Sequence, residues 1–136
     1  MAVLVIAEHD NSVLKTSTFN TITAATNLSD DIHLLIIGKD IETLSNNAKS
    51  IYPIKKVLKC DNSKLENFIP ELSAPIISNI ANGYTHILAP ASTFGKNLLP
   101  RVSALLDITQ ISDVIEIVTE NTFVRPIYAG NAISHV

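Results

Sequence analysis

Residues 2–7 read Ala-Val-Leu-Val-Ile-Ala, an unbroken apolar run rich in β-branched side chains. Such a run predicts a strand buried on both faces, as in parallel sheets that helices cover on each side. A polar loop follows at residues 8–15. Apolar and small residues then recur at helical spacing: Phe19, Ile22, Thr23, Ala25 and Thr26. The chain therefore opens with one strand–helix unit of an α/β fold.

Three more strand–helix units follow in the pattern of apolar residues. The second helix is predicted at Ile41–Ala48, and Asp40 precedes it as the expected N-cap. The further strands are predicted at Ile32–Ile37, which Gly38 closes, at Lys55–Cys60 and at Thr85–Ala89.

Prolines set the expected starts of the last two helices, because proline is tolerated in the first turn of a helix and not in its interior. The third helix should therefore begin between Pro70 and Pro75. It should end at Asn82-Gly83, where glycine would supply a left-handed stop. The fourth helix is predicted at Asn97–Leu106, with Pro100 near its start.

The pattern changes after residue 110. Ser112–Glu120 and Phe123–Ala129 are two strand-like runs joined by Asn121-Thr122, with no helix between them. So short a link permits only an antiparallel hairpin. The whole chain of 136 residues then forms one domain. Its predicted fold is α/β, a three-layer sandwich with a mostly parallel sheet and a C-terminal antiparallel hairpin.

Composition narrows the class of protein. A net charge of −3 gives no electrostatic reason to expect nucleic acid or an anionic membrane as a partner. The single cysteine, Cys60, excludes an intrachain disulfide and fits a reducing compartment. No apolar run approaches the ~20 residues that cross a bilayer, and strand-forming residues begin at Ala2. We therefore expect a soluble, cytoplasmic protein without a targeting segment or membrane insertion.

Three stretches carry a resemblance to a known family. The first reads Ile-Leu-Ala-Pro-Ala-Ser-Thr-Phe-Gly-Lys-Asn-Leu-Leu-Pro-Arg-Val over residues 87–102. The second is Gln-Ile-Ser-Asp-Val at residues 110–114, and the third is Arg-Pro-Ile-Tyr-Ala-Gly-Asn-Ala at residues 125–132. Together with Val3–His9 and Asn20–Ala25, they closely resemble the N-terminal domain of the electron transfer flavoprotein alpha subunit. The resemblance covers nearly the whole chain and implies a Rossmann-like fold of the adenine-nucleotide-hydrolase type.

The resemblance also implies a function. The alpha subunit of this family forms a heterodimer with a beta subunit. The complex carries electrons from flavin dehydrogenases, such as the acyl-CoA dehydrogenases of fatty acid oxidation, to a quinone oxidoreductase of the respiratory chain. FAD lies mainly in a C-terminal domain of alpha, and AMP belongs to beta. Residues 1–136 would be the N-terminal domain, incomplete at its C-terminal end and lacking the FAD domain. They would serve as scaffold and beta-subunit interface, with no enzyme activity of their own.

The resemblance supplies candidate interface residues but no catalytic, cofactor-binding or metal-binding ones. Arg101 is expected either to pair with a carboxylate such as Asp107 or Asp113 or to contact another domain or subunit. The interface or family-signature candidates are Phe94, Gly95, Lys96, Pro100, Arg101, Arg125, Tyr128, Gly130 and Asn131.

The loops at the carboxyl ends of the strands are where an open parallel sheet binds ligands. Residues 90–96 contain Gly95-Lys96 but lack the earlier glycine of a phosphate-binding loop, since position 90 is proline. This segment is expected to serve packing or an interface, with anion binding at a helix N-terminus as the alternative. Residues 8–10, Glu-His-Asp, should point in different directions and make local hydrogen bonds.

Two other functions remain open from the residues alone. One is a nucleotide-binding module similar to universal stress proteins, although Gly95 is the only glycine near the fourth strand. The other is a small α/β enzyme that uses Glu8, His9 and Asp10. His33, His86 and His135 have no second ligand at metal spacing, so no metal site is expected.

The last residues give a prediction about assembly. Ala132–Val136 reads as the beginning of a further strand. A strand left without its outer neighbour would expose a sheet edge, and exposed edges pair or swap between copies. We therefore expect self-association through this edge.

Overall fold

The computed structural model describes residues 2–108 with their side chains, and the backbone of residues 110–114, 116–119, 122–124 and 130–134. The four main helices are α1 (Thr16–Ala25), α2 (Glu42–Ala48), α3 (Pro70–Ile80) and α4 (Thr93–Leu106), and short 3₁₀ turns lie at Ser63–Leu65 and Ala81–Gly83. The described strands are β1 (Ala2–Ile6), β2 (Ile32–Gly38), β3 (Ile54–Asp61), β4 (Tyr84–Pro90), β5 (Gln110–Val114), β6 (Glu116–Thr119), β7 (Thr122–Val124) and β8 (Gly130–Ser134).

The main sheet has six strands in the order β3-β2-β1-β4-β8-β5. The first four are parallel neighbours, and β8 runs antiparallel to both β4 and β5. The four strand–helix units predicted from the sequence are present, which confirms the α/β class. The parallel order 3-2-1-4 is that of Rossmann-like sheets.

β1 forms the centre of two hydrophobic cores. Val3 and Val5 face the side covered by α1 and α2. Leu4 and Ile6 face the side covered by α3 and α4. All four side chains are essentially inaccessible to solvent, so both faces of β1 are covered. This burial explains why residues 2–7 contain no polar side chain, and it establishes the three-layer arrangement.

α1 is rotated relative to the expected apolar face. Thr18, Thr21, Ile22 and Ala25 are buried, whereas Phe19 is exposed over 43% of its surface. The hydroxyl of Thr18 accepts a hydrogen bond from the backbone N–H of Glu8 and donates one to its carbonyl, both at 2.8 Å. These bonds draw Thr18 inward and leave Phe19 facing outward.

The prolines lie deeper in their helices than predicted. α3 begins at Pro70 itself and contains Pro75 in its interior, and α4 begins at Thr93, which leaves Pro100 in its interior. Both interior prolines are exposed, so each missing N–H lies on the solvent side. No described glycine has a positive φ, so the predicted left-handed stop at Gly83 is wrong: α3 passes into the turn Ala81–Gly83.

The expected N-cap of α2 is also wrong. Asp40 makes no side-chain cap and adopts a left-handed φ of 54°. The carboxylate of Asp61, at the end of β3, accepts hydrogen bonds from the backbone N–H groups of Asp40 (2.8 Å) and Ile41 (3.1 Å). A carboxylate from a neighbouring strand therefore caps this helix.

The C-terminal segment contains the predicted antiparallel hairpin in a modified form. β6 pairs with β7 as a separate two-stranded sheet, and the first predicted strand is divided between β5 and β6. β8 is enclosed between β4 and β5, so it does not form the expected open edge. The outermost strands of the six-stranded sheet are β3 and β5.

Candidate functional site

The carboxyl end of β1 is anchored by Glu8. Its Oε1 accepts hydrogen bonds from the hydroxyls of Ser17 (2.7 Å) and Ser92 (2.8 Å). The ammonium of Lys15 lies 3.8 Å from Oε2. Ser17 is in α1 and Ser92 immediately precedes α4, so one carboxylate joins the ends of two neighbouring strands to the starts of two helices.

His9 is fixed by two backbone groups. Its Nε2 lies 2.9 Å from the carbonyl oxygen of Ile37, and its Nδ1 lies 2.9 Å from the backbone N–H of Asn11. Because Asn11 donates to Nδ1, that nitrogen must be unprotonated, and the ring proton is on Nε2. Burial lowers the pKa of His9 from its ordinary value of 6.5, although the bond to Ile37 and the nearby Asp10 oppose the shift. The imidazole is therefore neutral and held as a single tautomer.

Asp10 turns away from His9. Its carboxylate accepts hydrogen bonds from the backbone N–H groups of Ser12 (2.9 Å) and Val13 (2.8 Å). These bonds to Val13 and Ser12 lower the pKa of Asp10. Glu8, His9 and Asp10 thus have separate sets of partners; the expected local hydrogen bonds are made by Asp10, whereas Glu8 and His9 also bond to Ser92 and Ile37, which are distant in sequence. They do not converge on a common point where one substrate atom could be attacked.

Asn11 links the loop after β1 to two other elements. Its Oδ1 accepts a hydrogen bond from the backbone N–H of Lys39 (3.1 Å), and its Nδ2 donates to the carbonyl of Glu66 (3.0 Å). Asn11 has a backbone φ of 71°, in the left-handed region that asparagine tolerates better than most residues. This role could not be predicted from the sequence, because the partners are separated from Asn11 by 28 and 55 residues.

Gly38 leaves the space that this arrangement needs. A Cβ atom there would lie 2.5 Å from Oδ1 of Asn11, 2.8 Å from Cε1 of His9 and 2.9 Å from Cγ2 of Ile41. The glycine that the sequence placed at the end of the second strand is therefore required by close approach of side chains.

A small cavity of about 50 Å³ opens beside these residues. Its rim includes Phe68 and Phe94, whose ring centroids are 4.6 Å apart. A volume of this size holds a few water molecules and is far smaller than the clefts that enclose nucleotides or flavins. The lining residues are His9, Asn11, Ile37, Leu65, Glu66, Asn67, Phe68, Ser73 and Phe94.

The interface candidates of α4 form part of one element. Phe94 is half-buried and Gly95 is buried, whereas Lys96, Pro100 and Arg101 are exposed. The expected loop at residues 90–96 is therefore partly the first turn of α4. Arg101 forms an ion pair with Glu71 of α3 (2.9 Å), a carboxylate that the sequence did not suggest, and the side chain of Asp113 lies outside the described residues. This pair joins the two helices on one side of the sheet.

Gly130 and Asn131 lie close to the same segment. They are in β8 and pair with Pro90 and Ala89 of β4. Two stretches that carry the resemblance therefore meet where β4 ends. Arg125 and Tyr128 lie outside the described residues, so their predicted interface role stays a prediction.

The histidines outside this site have partners of other kinds. The ring nitrogens of His33 lie 2.8 Å from the hydroxyl of Tyr84 and 2.9 Å from Asp31. His86 is buried with Nδ1 3.0 Å from the hydroxyl of Thr85, and His135 is outside the described residues. In the described part of the chain, no three His, Cys, Asp or Glu side chains are grouped so that they could hold a metal ion.

Cys60 is half-buried, as expected for a small thiol at the end of a strand. Among the described residues, none of the helices has the combination of length and apolar character that crossing a bilayer requires.

Comparison with known proteins identifies the family. The profile of the family described as "Electron transfer flavoprotein domain" matches residues 3–136. The electron transfer flavoprotein subunit alpha of Pseudomonas aeruginosa is 48% identical over 136 residues, which are 100% of this chain and 44% of that protein. The mitochondrial alpha subunit of Dictyostelium discoideum is 43% identical over 141 residues, covering 98% of this chain and 40% of the relative. That of Arabidopsis thaliana is 40% identical over 143 residues, covering 100% and 39%.

The chain thus spans less than half the length of these relatives. The matched residues include the cores on both faces of β1, the Glu8–Asn11 segment and the α4 segment. On this match, the chain belongs to the electron transfer flavoprotein domain family.

Proposed function

We propose that this chain is the N-terminal α/β domain of an electron transfer flavoprotein alpha subunit. The observation that carries the proposal is the family match over residues 3–136, together with relatives that are named as alpha subunits. The whole protein would carry electrons from flavin dehydrogenases, such as acyl-CoA dehydrogenases, to a quinone oxidoreductase in the cytoplasm of a bacterium. This domain would be a scaffold and a contact surface for the beta subunit, not an enzyme.

The cofactors of the complex would be held elsewhere. We assign FAD to a further domain of the alpha subunit and AMP to the beta subunit. Two features of the described residues support this assignment. The polar side chains of Glu8, His9, Asn11 and Asp61 are already engaged in hydrogen bonds with other groups of the protein. The adjoining cavity of about 50 Å³ has no room for a nucleotide.

The surface formed by α3 and α4 is the best candidate for the beta-subunit contact. On α4, Lys96, Pro100 and Arg101 are exposed, and Leu105 exposes 56% of its surface one turn beyond Arg101. Leu72 of α3 is also exposed and directly follows Glu71, the ion-pair partner of Arg101. Exposed apolar side chains beside an arginine suit a protein contact, since arginine is enriched at interfaces and their buried centres are more apolar than the rest of the surface.

Binding to the beta subunit tests the proposal. The tagged beta subunit should capture the chain, and Leu105→Glu should weaken capture by about tenfold or more, because it places a charge in an apolar contact. The matched control is Phe19→Glu, which places the same charge on an exposed apolar site of α1, across the sheet from α4. It should leave capture unchanged.

Two results would count against the proposal. Failure of the beta subunit to capture the folded wild-type chain would contradict the proposed role as a contact surface. Equal losses in Leu105→Glu and Phe19→Glu would reject the α3–α4 surface as the contact. Calorimetric titration with ATP and AMP completes the test: tight binding by the isolated chain would favour a universal-stress-type nucleotide module instead.

A further inference from the structure

The loop after β1 is held by the half-buried side chain of His9. His9 accepts a hydrogen bond from the backbone N–H of Asn11 through Nδ1 and donates from Nε2 to the carbonyl of Ile37. A second proton would occupy the lone pair on Nδ1. Two N–H groups would then face each other at a separation of 2.9 Å, which is repulsive.

Asn11 would transmit that change to two other elements. Its side chain accepts from the N–H of Lys39, which follows β2, and donates to the carbonyl of Glu66, which follows the 3₁₀ turn Ser63–Leu65. Its backbone is held at a φ of 71° in a turn that His9 closes. Movement of Asn11 would therefore break both side-chain hydrogen bonds along with the bond to His9.

Contacts with β2 hold the ring of His9 in its present orientation. Its Cε1 would be only 2.8 Å from a Cβ at position 38, so β2 lies directly against the imidazole. On the other side Nε2 is already committed to Ile37. The ring cannot turn to present a different edge to Asn11 without losing that bond.

The charged groups around His9 come from each neighbouring segment. Asp10 of the same loop favours the imidazolium, and Lys15 before α1 disfavours it. Lys39 after β2 and Glu66 after the 3₁₀ turn form an ion pair at 3.4 Å, so their charges largely offset each other. Burial is the strongest influence on the pKa of His9 and favours the neutral ring.

We propose that His9 is an acid-sensitive latch, whose neutral ring holds the loop of residues 8–15 against β2 and the segment after the 3₁₀ turn. Protonation releases Asn11 and with it the contacts to Lys39 and Glu66. The released segments border the cavity that Phe68 and Phe94 line, so acidification opens this end of the sheet. The cavity is also lined by Ser73 of α3 and Phe94 of α4, so the latch adjoins the surface proposed for the beta-subunit contact.

Nuclear magnetic resonance on the isotope-labelled chain tests the latch directly. At neutral pH the ring signals of His9 should show the proton on Nε2. On lowering the pH from about 7.5 to about 4.5, the amide signals of Asn11 and Lys39 should shift together with the ring of His9. Hydrogen-exchange protection of the Asn11 amide, corrected for the intrinsic rate, should fall about fivefold to tenfold, as expected for loss of a buried hydrogen bond.

Two variants separate the latch from general acid effects. In Asn11→Gly, which retains the left-handed backbone, titration of His9 should no longer shift the amide of Lys39. In His33→Gln, which removes a histidine at the opposite end of β2, the coupled titration should persist. Protection of the Asn11 amide that is unchanged while the ring of His9 titrates in the wild-type chain would overturn the proposal. Coupling that survives in Asn11→Gly would overturn it as well.

Discussion

Gly38 has no room for a side chain. In Gly38→Ala the new methyl group would meet Asn11 and His9 at distances that real Cβ atoms do not show. We expect this substitution to lower the free energy of unfolding by about 2–3 kcal/mol, through overpacking and displacement of Asn11. Urea denaturation measures the change.

Gly83→Ala is the matched control for Gly38→Ala. No atom lies within 4 Å of a Cβ at position 83, and the φ of this glycine is not positive. Its free energy of unfolding should change by less than about 1 kcal/mol, and the lower entropy of the unfolded chain favours a small gain. If both substitutions lowered the free energy of unfolding equally, displacement of His9 and Asn11 by the new methyl group would carry no energetic penalty of its own, and this account would be wrong.

The residues around Gly38 also show what a sequence can reveal about such a site. The directions of Glu8, His9 and Asp10 could be predicted, because consecutive residues at a strand end point apart. Ser92 could not be assigned to Glu8, from which it is separated by 84 residues. Nor could Asp61 be recognised as the cap of α2, since the contact depends on β3 lying beside β2.

At the level of single elements, α4 shows how a local rule can give the wrong boundary. Proline is best tolerated in a first turn, so Pro100 predicted a start at Asn97. The helix begins one turn earlier, at Thr93, and the residues around Pro100 stay helical while Leu98, Leu99 and Val102 are fully buried against the sheet. Tertiary packing outweighs the penalty of an exposed interior proline.

Replacement of Pro100 should therefore stabilise the protein. Pro100→Ala restores an N–H in the middle of α4 and should raise the free energy of unfolding by about 1–3 kcal/mol. Pro70→Ala is the control, since Pro70 occupies the first helical position of α3, where proline has little cost. Thermal unfolding of both variants gives the comparison. A gain no larger for Pro100 than for Pro70 would contradict this account.

The edge strand β3 is built to resist pairing with other copies. Ile32 pairs with Ile54 and His33 with Lys56, so Lys55 is an extra residue that forms a bulge. Lys55 and Lys56 are both exposed at this irregularity. Bulges and lysines are two common means of blocking edge-to-edge association.

Removing these charges should promote self-association. Lys55→Val/Lys56→Val leaves an uncharged β-branched edge, and we expect its sedimentation coefficient to rise with protein concentration more steeply than that of the wild type. The control is Lys49→Val/Lys64→Val, which removes two exposed lysines that lie outside β3. Should the control associate as readily, net charge and not the strand edge would control assembly.

For the whole molecule, the sequence predicted the layers but not the complete strand order. Apolar runs such as residues 2–7 identify buried strands, and helices between them require parallel pairing. Nothing in the residues after β4 indicates that β8 returns to lie between β4 and β5. Strands of similar composition can occupy either position, and their order is decided by contacts between distant segments.

Stability of the whole domain against acid should decline in two stages. His9 and Asp10 both have a lower pKa in the folded state than their ordinary values of 6.5 and 3.8. In each case the unfolded chain binds its proton first as the pH falls. The contribution of His9 is present above pH 6.5 and is lost as the pH falls from there through the folded pKa. That of Asp10 is lost in the same way below pH 3.8.

Urea denaturation at a series of pH values separates the two stages. His9→Gln should remove the stage that begins near pH 6.5 and leave the later one, because glutamine does not titrate. Asp10→Asn should do the reverse. Each variant is also the control for the other, since both change the same loop. His9→Gln retains the carboxylate of Asp10, and Asp10→Asn retains the imidazole of His9. If the upper stage persisted in His9→Gln, another group would be responsible for it, and burial of a neutral imidazole at the end of β1 would not govern the acid response of this domain.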